Sequence, residues 1–281
     1  MVDRRPLTKY KRVMKIALSV SILCVAAAAT FAGPESLPSG KEMKEVAPVP
    51  PACPNWTGFY VGGFGGYKLS DTDINLDLTG DWAAVAPLDK TAIQAHSPGD
   101  LNASGAELGG LIGYNYELQN HLVLGVEGTG GYLWLKKSDA SDIFTIVQYN
   151  NTYTVRTSLK THYLATFGPR IGYAFCKWMP YVTGGLAIGD IDFYQNIADF
   201  IPTPHAHEIG SGSDTNVGWM VGAGLQYAIN SHWSARLQYE FDDLGSIHLN
   251  SADLPNFPTY TGTHDVSLNE HNVSAAIIFQ F

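Results

Sequence analysis

No stretch beyond residue 32 is long and apolar enough to cross a bilayer as a helix, which excludes a helical membrane bundle. Basic residues are few: Lys and Arg number 17 against 26 Asp and Glu, a formal charge of −9. A chain so acidic is not a nucleic-acid binder. Cysteine is scarcer still, with three in 281 residues. Two familiar chemistries lack a signature as well. Nothing matches an Asp-rich twelve-residue calcium loop, and no Ser, His and acid can be grouped by spacing into a triad.

What is abundant is Gly, at 29, and Tyr, at 15. That mixture suits an antiparallel all-β protein better than a helical one. Residues 1–32 read as a targeting segment: six basic groups between Arg4 and Lys15, an apolar run at 16–29, and the small-residue exit Thr30-Phe31-Ala32. Leu23 before Cys24 excludes a lipoprotein signal. Removing this segment takes away six bases and one acid, net +5, and brings the charge from −9 to −14. Two cysteines then remain, Cys53 and Cys176, an even number compatible with one disulfide in an exported protein. Residues 33–54, with six prolines, read as an extended periplasmic linker, and the folded domain as 55–281.

From residue 55 one pattern repeats, an alternating run of ten or more residues followed by a long polar connection or a very short turn. Eight runs are expected, at 56–69, 104–116, 122–134, 161–173, 180–193, 217–229, 233–244 and 270–281. Connections after the first, third, fifth and seventh are long; those at 117–121, 174–178 and 230–232 are short. The expected fold is therefore an eight-stranded antiparallel transmembrane β-barrel with long extracellular loops, short periplasmic turns and both ends periplasmic. Aromatics then gather at two levels, with Phe59, Tyr114, Tyr116, Tyr173, Tyr227, Trp233, Phe279 and Phe281 at the periplasmic one, and Tyr67, Tyr132, Trp134, Tyr163, Phe193, Trp219, Tyr239 and Phe241 at the outer one. Residues 143–149 and 152–159 alternate around Asn150-Asn151 and read as a hairpin prolonging strands three and four beyond the membrane. A ten-stranded barrel is the competing count, but Lys136, Lys137, Asp139 and Asp142 would then lie badly in lipid.

The phrases NWTGFYVGGFGGY at 55–67, LGGLIGYNYEL at 108–118, VLGVEGTGGY at 123–132, GPRIGYAF at 168–175, PYVTGGLAIG at 180–189 and VGWMVGAGLQYAI at 217–229, with the terminal VSAAIIFQF, carry a family resemblance. Together they resemble the small outer-membrane β-barrel proteins of Gram-negative bacteria, nearest to the major surface antigens of alphaproteobacteria, relatives of the membrane domain of outer membrane protein A. The resemblance covers nearly all of 55–281. It implies an outer-membrane location, contact with lipid including lipopolysaccharide, and insertion by the barrel-assembly machinery. For the last of these it implies a signal in Val273, Ala275, Ile277, Phe279 and Phe281, one face of the last strand. It supplies no catalytic residues.

In this register the inward face collects Glu107, Glu127, Arg170, Gln226, Arg236, Gln238 and Glu240. Inside so narrow a barrel these charges should pair into a plug, Glu127 with Arg170 from the neighbouring strand. Cys53 and Cys176 both fall at the periplasmic mouth and are expected to bond. His162 is placed inward at the outer end of its strand. His205 and His207 have a spacing that could take a metal but read as solvated loop histidines, and no metal or cofactor is expected. The connections are acidic, with Asp71, Asp73, Asp77, Asp81, Asp89 and Asp100 in the first and Asp190, Asp192, Asp199, Glu208 and Asp214 in the third; solvated faces are preferred to cation bridges. The reading is a structural or surface-interaction protein, monomeric or weakly associating, with no reaction assigned and room for an extracellular or host ligand on the loops. A small solute channel comes second and a barrel enzyme acting on lipid or peptide third. Lipocalin-like carriage is last, because it needs polar residues outside and apolar ones within.

Overall fold

The computed structural model describes residues 53–146, 151–199, 205–251 and 258–281. The targeting segment and nearly all of the proline-rich linker lie outside the described residues, as does the turn position Asn150. Among the described residues nine strands form: β1 (Gly58–Gly80), β2 (Ala103–Glu117), β3 (Leu122–Ala140), β4 (Phe144–Ile146), β5 (Asn151–Tyr173), β6 (Trp178–Asp199), β7 (His205–Ala228), β8 (Trp233–Asn250) and β9 (Tyr260–Gln280). Two helices, α1 (Asp81–Ala84) and α2 (Pro87–His96), follow β1.

Eight of the strands close into a ring. Hydrogen bonding runs β3-β2-β1-β9-β8-β7-β6-β5, and β3 pairs with β5 to complete the circle. Every pairing is antiparallel. The barrel therefore has eight strands and not ten. The short β4 pairs only with Asn151, Thr152 and Tyr153 of β5, a hairpin on the rim. No helix among the described residues is long and apolar enough to cross a membrane.

The strands are longer than the expected runs. β1 reaches Gly80, β6 runs on to Asp199 and β9 starts at Tyr260, so much of what reads as polar loop is strand; β5 starts at Asn151 and takes in 152–159, the stretch expected to prolong strand four. The cause is an inversion of polarity partway up the barrel. In the half near the short turns, apolar side chains face out: Phe59, Val61, Ile112, Val126, Phe167, Ile171, Val182, Leu186, Val221, Leu237, Val273 and Ile277 are all exposed. In the far half the same alternation turns inside out. On β1, Asp73, Asn75 and Asp77 are exposed while Ile74, Leu76 and Leu78 are buried; on β9, Thr263 is exposed while Val266 and Leu268 are buried. The interior is equally narrow throughout, but the outer medium changes from hydrocarbon to water, so only the near half needs an apolar exterior. Phe193, expected in the outer aromatic level, belongs to this inverted half: it points inward and is 2% exposed.

The far half has a gap in its wall. β2 begins at Ala103, opposite Ser70 of β1, and it pairs with β3 only up to Glu107 and Leu133, so β1 and β3 both outrun it. The segment that fills this space contains α1 and α2. Ile74 donates its N–H to the Gly99 carbonyl (3.0 Å) and Leu101 donates to that of Thr72 (3.2 Å), which gives β1 a substitute neighbour. Pro87 opens α2, where its fixed φ fits and its missing N–H costs nothing. Trp82 and Ile93 pack against Leu76, Leu78, Tyr153, Val155 and Ile197, in a core of their own at the far end.

At the other end Cys53 and Cys176 are joined by a disulfide. It links the chain ahead of β1 to the β5–β6 turn, and β1 and β5 are not neighbours in the ring, so the entering segment runs across the mouth. Trp56 follows it, buried with Val123, Ala174, Met179 and Ala228, and donates from Nε1 to the Cys176 carbonyl at 3.1 Å.

Candidate functional site

The alternation that puts Leu and Val into lipid puts every second residue of the near half into the lumen, where small glycines leave room for long polar side chains. Glu127, 6% exposed, is the hub. It accepts from Arg236 Nη1 at 2.6 and 2.8 Å, from Arg170 Nη1 at 3.1 Å and from the Tyr60 hydroxyl at 2.9 Å. Arg170 also donates to the Tyr60 oxygen (3.0 Å) and from Nη2 to Gln226 Oε1 (3.2 Å), and its guanidinium lies 3.8 Å from the centre of the Tyr181 ring. Gln226 in turn donates to Ser234 Oγ (2.8 Å). A charge in this position is tolerable because it is paired and hydrogen-bonded on all sides.

The structure brings Glu127, Arg170 and Arg236 together and leaves the other two interior acids elsewhere. Glu240 accepts from Gln238 Nε2 at 2.8 Å, and Glu107 accepts from Asn272 Nδ2 at 2.8 Å; neither is bonded to an arginine. A second ionic knot, unforeseen from the sequence, has Lys68 Nζ between Asp242 (2.7 Å) and Glu270 (3.1 Å), all fully enclosed. The parity of each strand carried the signal: Lys68 is in phase with Tyr60 and Phe64, Asp242 with Arg236 and Glu240, and Glu270 with Asn272. These three lie where the expected strands ended, and ends invite assignment to solvent.

Above the knots the lumen turns apolar. Ile74, Leu133, Leu159, Leu164, Ile191, Phe193, Met220, Leu244, Ile247, Val266 and Leu268 pack as one cluster. At the rim Asp89 of α2, expected as a loop acid, is buried; it accepts from the Tyr153 hydroxyl (2.7 Å) and Asn151 Nδ2 (2.9 Å). Burial, with this bond to Asp89, pushes the Tyr153 phenol well above its ordinary value. His162 sits at a register shift between Lys160 and Leu164, and its side chain is 41% exposed rather than inside. Asp190 clamps this bulge, accepting from the N–H groups of His162 (2.8 Å) and Tyr163 (2.7 Å) while facing His162 Nδ1 at 2.8 Å. With Asp192, these residues have ligand atoms within 4.8 Å of one another and could hold a metal, although the bulge already accounts for Asp190. Of the other acids expected in loops, Asp71, Asp73 and Asp77 are on β1, Asp192 and Asp199 on β6, and Glu208 and Asp214 on β7, whereas Asp81 opens α1 and Asp100 lies between α2 and β2. His205 and His207 fall within β7, and their side chains lie outside the described residues.

A closed ring of eight antiparallel strands, an apolar outer band and a plugged polar lumen leave few candidates for the kind of protein this is. The model of the Outer membrane protein beta-barrel domain matches residues 16–279. The chain belongs to this family. Among its relatives, the 31 kDa outer-membrane immunogenic protein of Brucella melitensis is 29% identical over 233 residues, 81% of this chain and 84% of that protein. The 22 kDa outer membrane protein of Rhizobium leguminosarum bv. viciae is 28% identical over 200 residues, 71% and 69% of the two chains. Among solved structures, the outer membrane protein OprG from Pseudomonas aeruginosa aligns with 81% of this chain and 98% of its own at 13% identity and a TM-score of 0.47. As an outer membrane β-barrel, the chain has its apolar band in the lipid of the outer membrane. The exposed aromatics Phe59, Tyr116, Tyr173 and Trp233 border that band on one side, and Tyr67, Tyr132, Trp134, Tyr163, Trp219 and Tyr239 on the other.

Proposed function

We propose that the chain is a non-conducting, monomeric structural protein of the outer membrane that offers a folded surface to the outside, with both termini in the periplasm. What supports this most is that the interior is filled at each level: Trp56 at the mouth, the Glu127 knot, the Lys68 knot, then the apolar cluster and the α1–α2 cap. An ion would meet fixed charges of both signs and then an apolar plug. The orientation follows the family architecture, in which tight turns face the periplasm and long excursions face outward. The wall of the far half, polar on the outside, is a water-exposed surface on which an extracellular or host ligand can dock. That the Brucella relatives are named outer-membrane immunogenic proteins fits such a surface.

Val273, Ala275, Ile277, Phe279 and Phe281 act in this reading as the signal for the barrel-assembly machinery. The first four lie on the lipid face of β9, and Phe281, just past its end, is 73% exposed. No reaction is assigned to the chain. Single-channel recording of refolded protein in a planar bilayer tests the central claim, with no stable conductance expected. Discrete, ion-selective steps would overturn it in favour of a channel.

A further inference from the structure

We propose that Lys136 and Lys160, with Arg156 above them, form a binding site for the phosphate groups of lipopolysaccharide in the outer leaflet. The inference rests on the orientation given above. Residues 53–281 contain nine basic side chains. Lys68, Arg170 and Arg236 are buried in the lumen, Lys177 belongs to the turn end, and Lys90 pairs with Asp77 at 3.0 Å. The other four, Lys136, Lys137, Arg156 and Lys160, all lie on the adjacent strands β3 and β5. In so acidic a protein this is a concentration of positive charge on one side of the barrel.

Lys136 and Lys160 are direct cross-strand partners. Leu135 is buried on one side of Lys136, and Leu159 and Thr161 are buried on either side of Lys160, so both lysines point away from the lumen. Like charges directly opposite on a sheet repel and destabilise it. Among the described residues neither lysine has an ion pair. The nearest acid in register is Asp192, opposite Lys160 on β6, and it faces His162 Nδ1 at 3.4 Å. An anion between the two ammonium groups would turn the repulsion into attraction.

Their height selects the anion. Tyr132, Trp134 and Tyr163 lie just below on the same two strands and mark the outer edge of the hydrocarbon. The first charged layer above that edge is the phosphorylated headgroup of the lipid. Arg156 is four residues beyond Lys160, roughly 13 Å at the rise of a strand, level with sugars that carry further anionic groups. A soluble polyanion would have no need of a site placed against the girdle.

The test uses full-length refolded protein in lipid-free detergent, titrated with bis-phosphorylated lipid A. Neutralising both lysines, as Lys136→Gln with Lys160→Gln, should weaken binding about 30-fold, from about fivefold per basic residue at an anionic lipid surface. Lys177→Gln at the opposite end should leave it unchanged, and lipid A stripped of phosphate should bind wild type and double variant equally. Because the substitution removes repulsion, the double variant should also be at least as heat-resistant as wild type without lipid A. Equal affinity of wild type and double variant would overturn the proposal, as would lower heat resistance, which would make the lysines structural. So would lysine-dependent binding of heparin or inorganic phosphate with none of lipid A. An epitope inserted at Asp142 and labelled on intact cells checks the orientation separately. Labelling without lipid A binding would remove the site and leave the orientation standing.

Discussion

At the scale of single residues, the arrangement around Glu127 sets an order of costs that a simple ion pair would not. The carboxylate has two arginine partners, so removing either one leaves it with the other. Glu127→Ala instead leaves Arg170 and Arg236 buried side by side with no counter-charge. Losing one member of a buried pair costs on the order of 3 to 5 kcal/mol, less where water enters. Glu127→Ala should therefore lower the unfolding midpoint in urea most, with Arg236→Ala and Arg170→Ala each milder, and Arg170→Ala should recover part of the loss when added to Glu127→Ala. Equal costs for all three single variants would mean that the knot acts as independent pairs. The inward phase of Glu127, Arg170 and Arg236 was readable from strand parity, and so was the nearness of Glu127 to Arg170. That Arg236 reaches Glu127 from β8 was not, because β3 and β8 meet only across the lumen and no sequence spacing encodes that distance.

At the scale of elements, the near half of each strand was legible because a lipid-facing strand is apolar on the outside and punctuated by aromatics. The far half was not, for a physical reason. Asp71, Asp73, Asn75 and Asp77 look like a solvated loop, yet Ile74, Leu76 and Leu78 alternate with them and pack inside. The pattern of a soluble barrel, used to set lipocalin-like carriage aside, is therefore present in the same strands, above the membrane. The α1–α2 segment was hidden too, since four- and ten-residue helices between strands leave a weak periodic signal. Its role as wall gives a prediction. Ile93, fully buried on the inner face of α2, becomes an unpaired buried carboxylate in Ile93→Asp, which costs several kcal/mol. The cap should detach, so that protease added to proteoliposomes cuts between residues 81 and 102, while the membrane half keeps its heat resistance. Unchanged protection of this segment would show that α2 is not needed to close the wall.

At the scale of the whole molecule, the ring is closed by the two strands farthest apart in sequence. β1 and β9 pair without interruption from Tyr60 with Gln280 to Gly80 with Tyr260. Until this seam forms, both strands have an unpaired edge, which lipid does not tolerate. Phe281 stands at the end of the seam. Its N–H donates to the Phe59 carbonyl at 3.0 Å, and its ring meets Phe279 edge-on at 5.3 Å, which itself packs on Trp233 at 5.1 Å. With 73% of its surface exposed, Phe281 adds little to the finished barrel: one terminal hydrogen bond and one aromatic contact, worth about 1 kcal/mol each. A recognition role and a packing role for this residue therefore separate cleanly. Deleting Phe281 should barely change the heat resistance of protein refolded from urea into detergent, yet in cells the chain should fail to reach the outer membrane and accumulate as a protease-sensitive periplasmic species. Normal amounts of protease-resistant barrel in outer-membrane fractions of the deletion strain would refute the signal. A deletion that cannot refold in detergent either would instead place Phe281 among the residues that hold the seam.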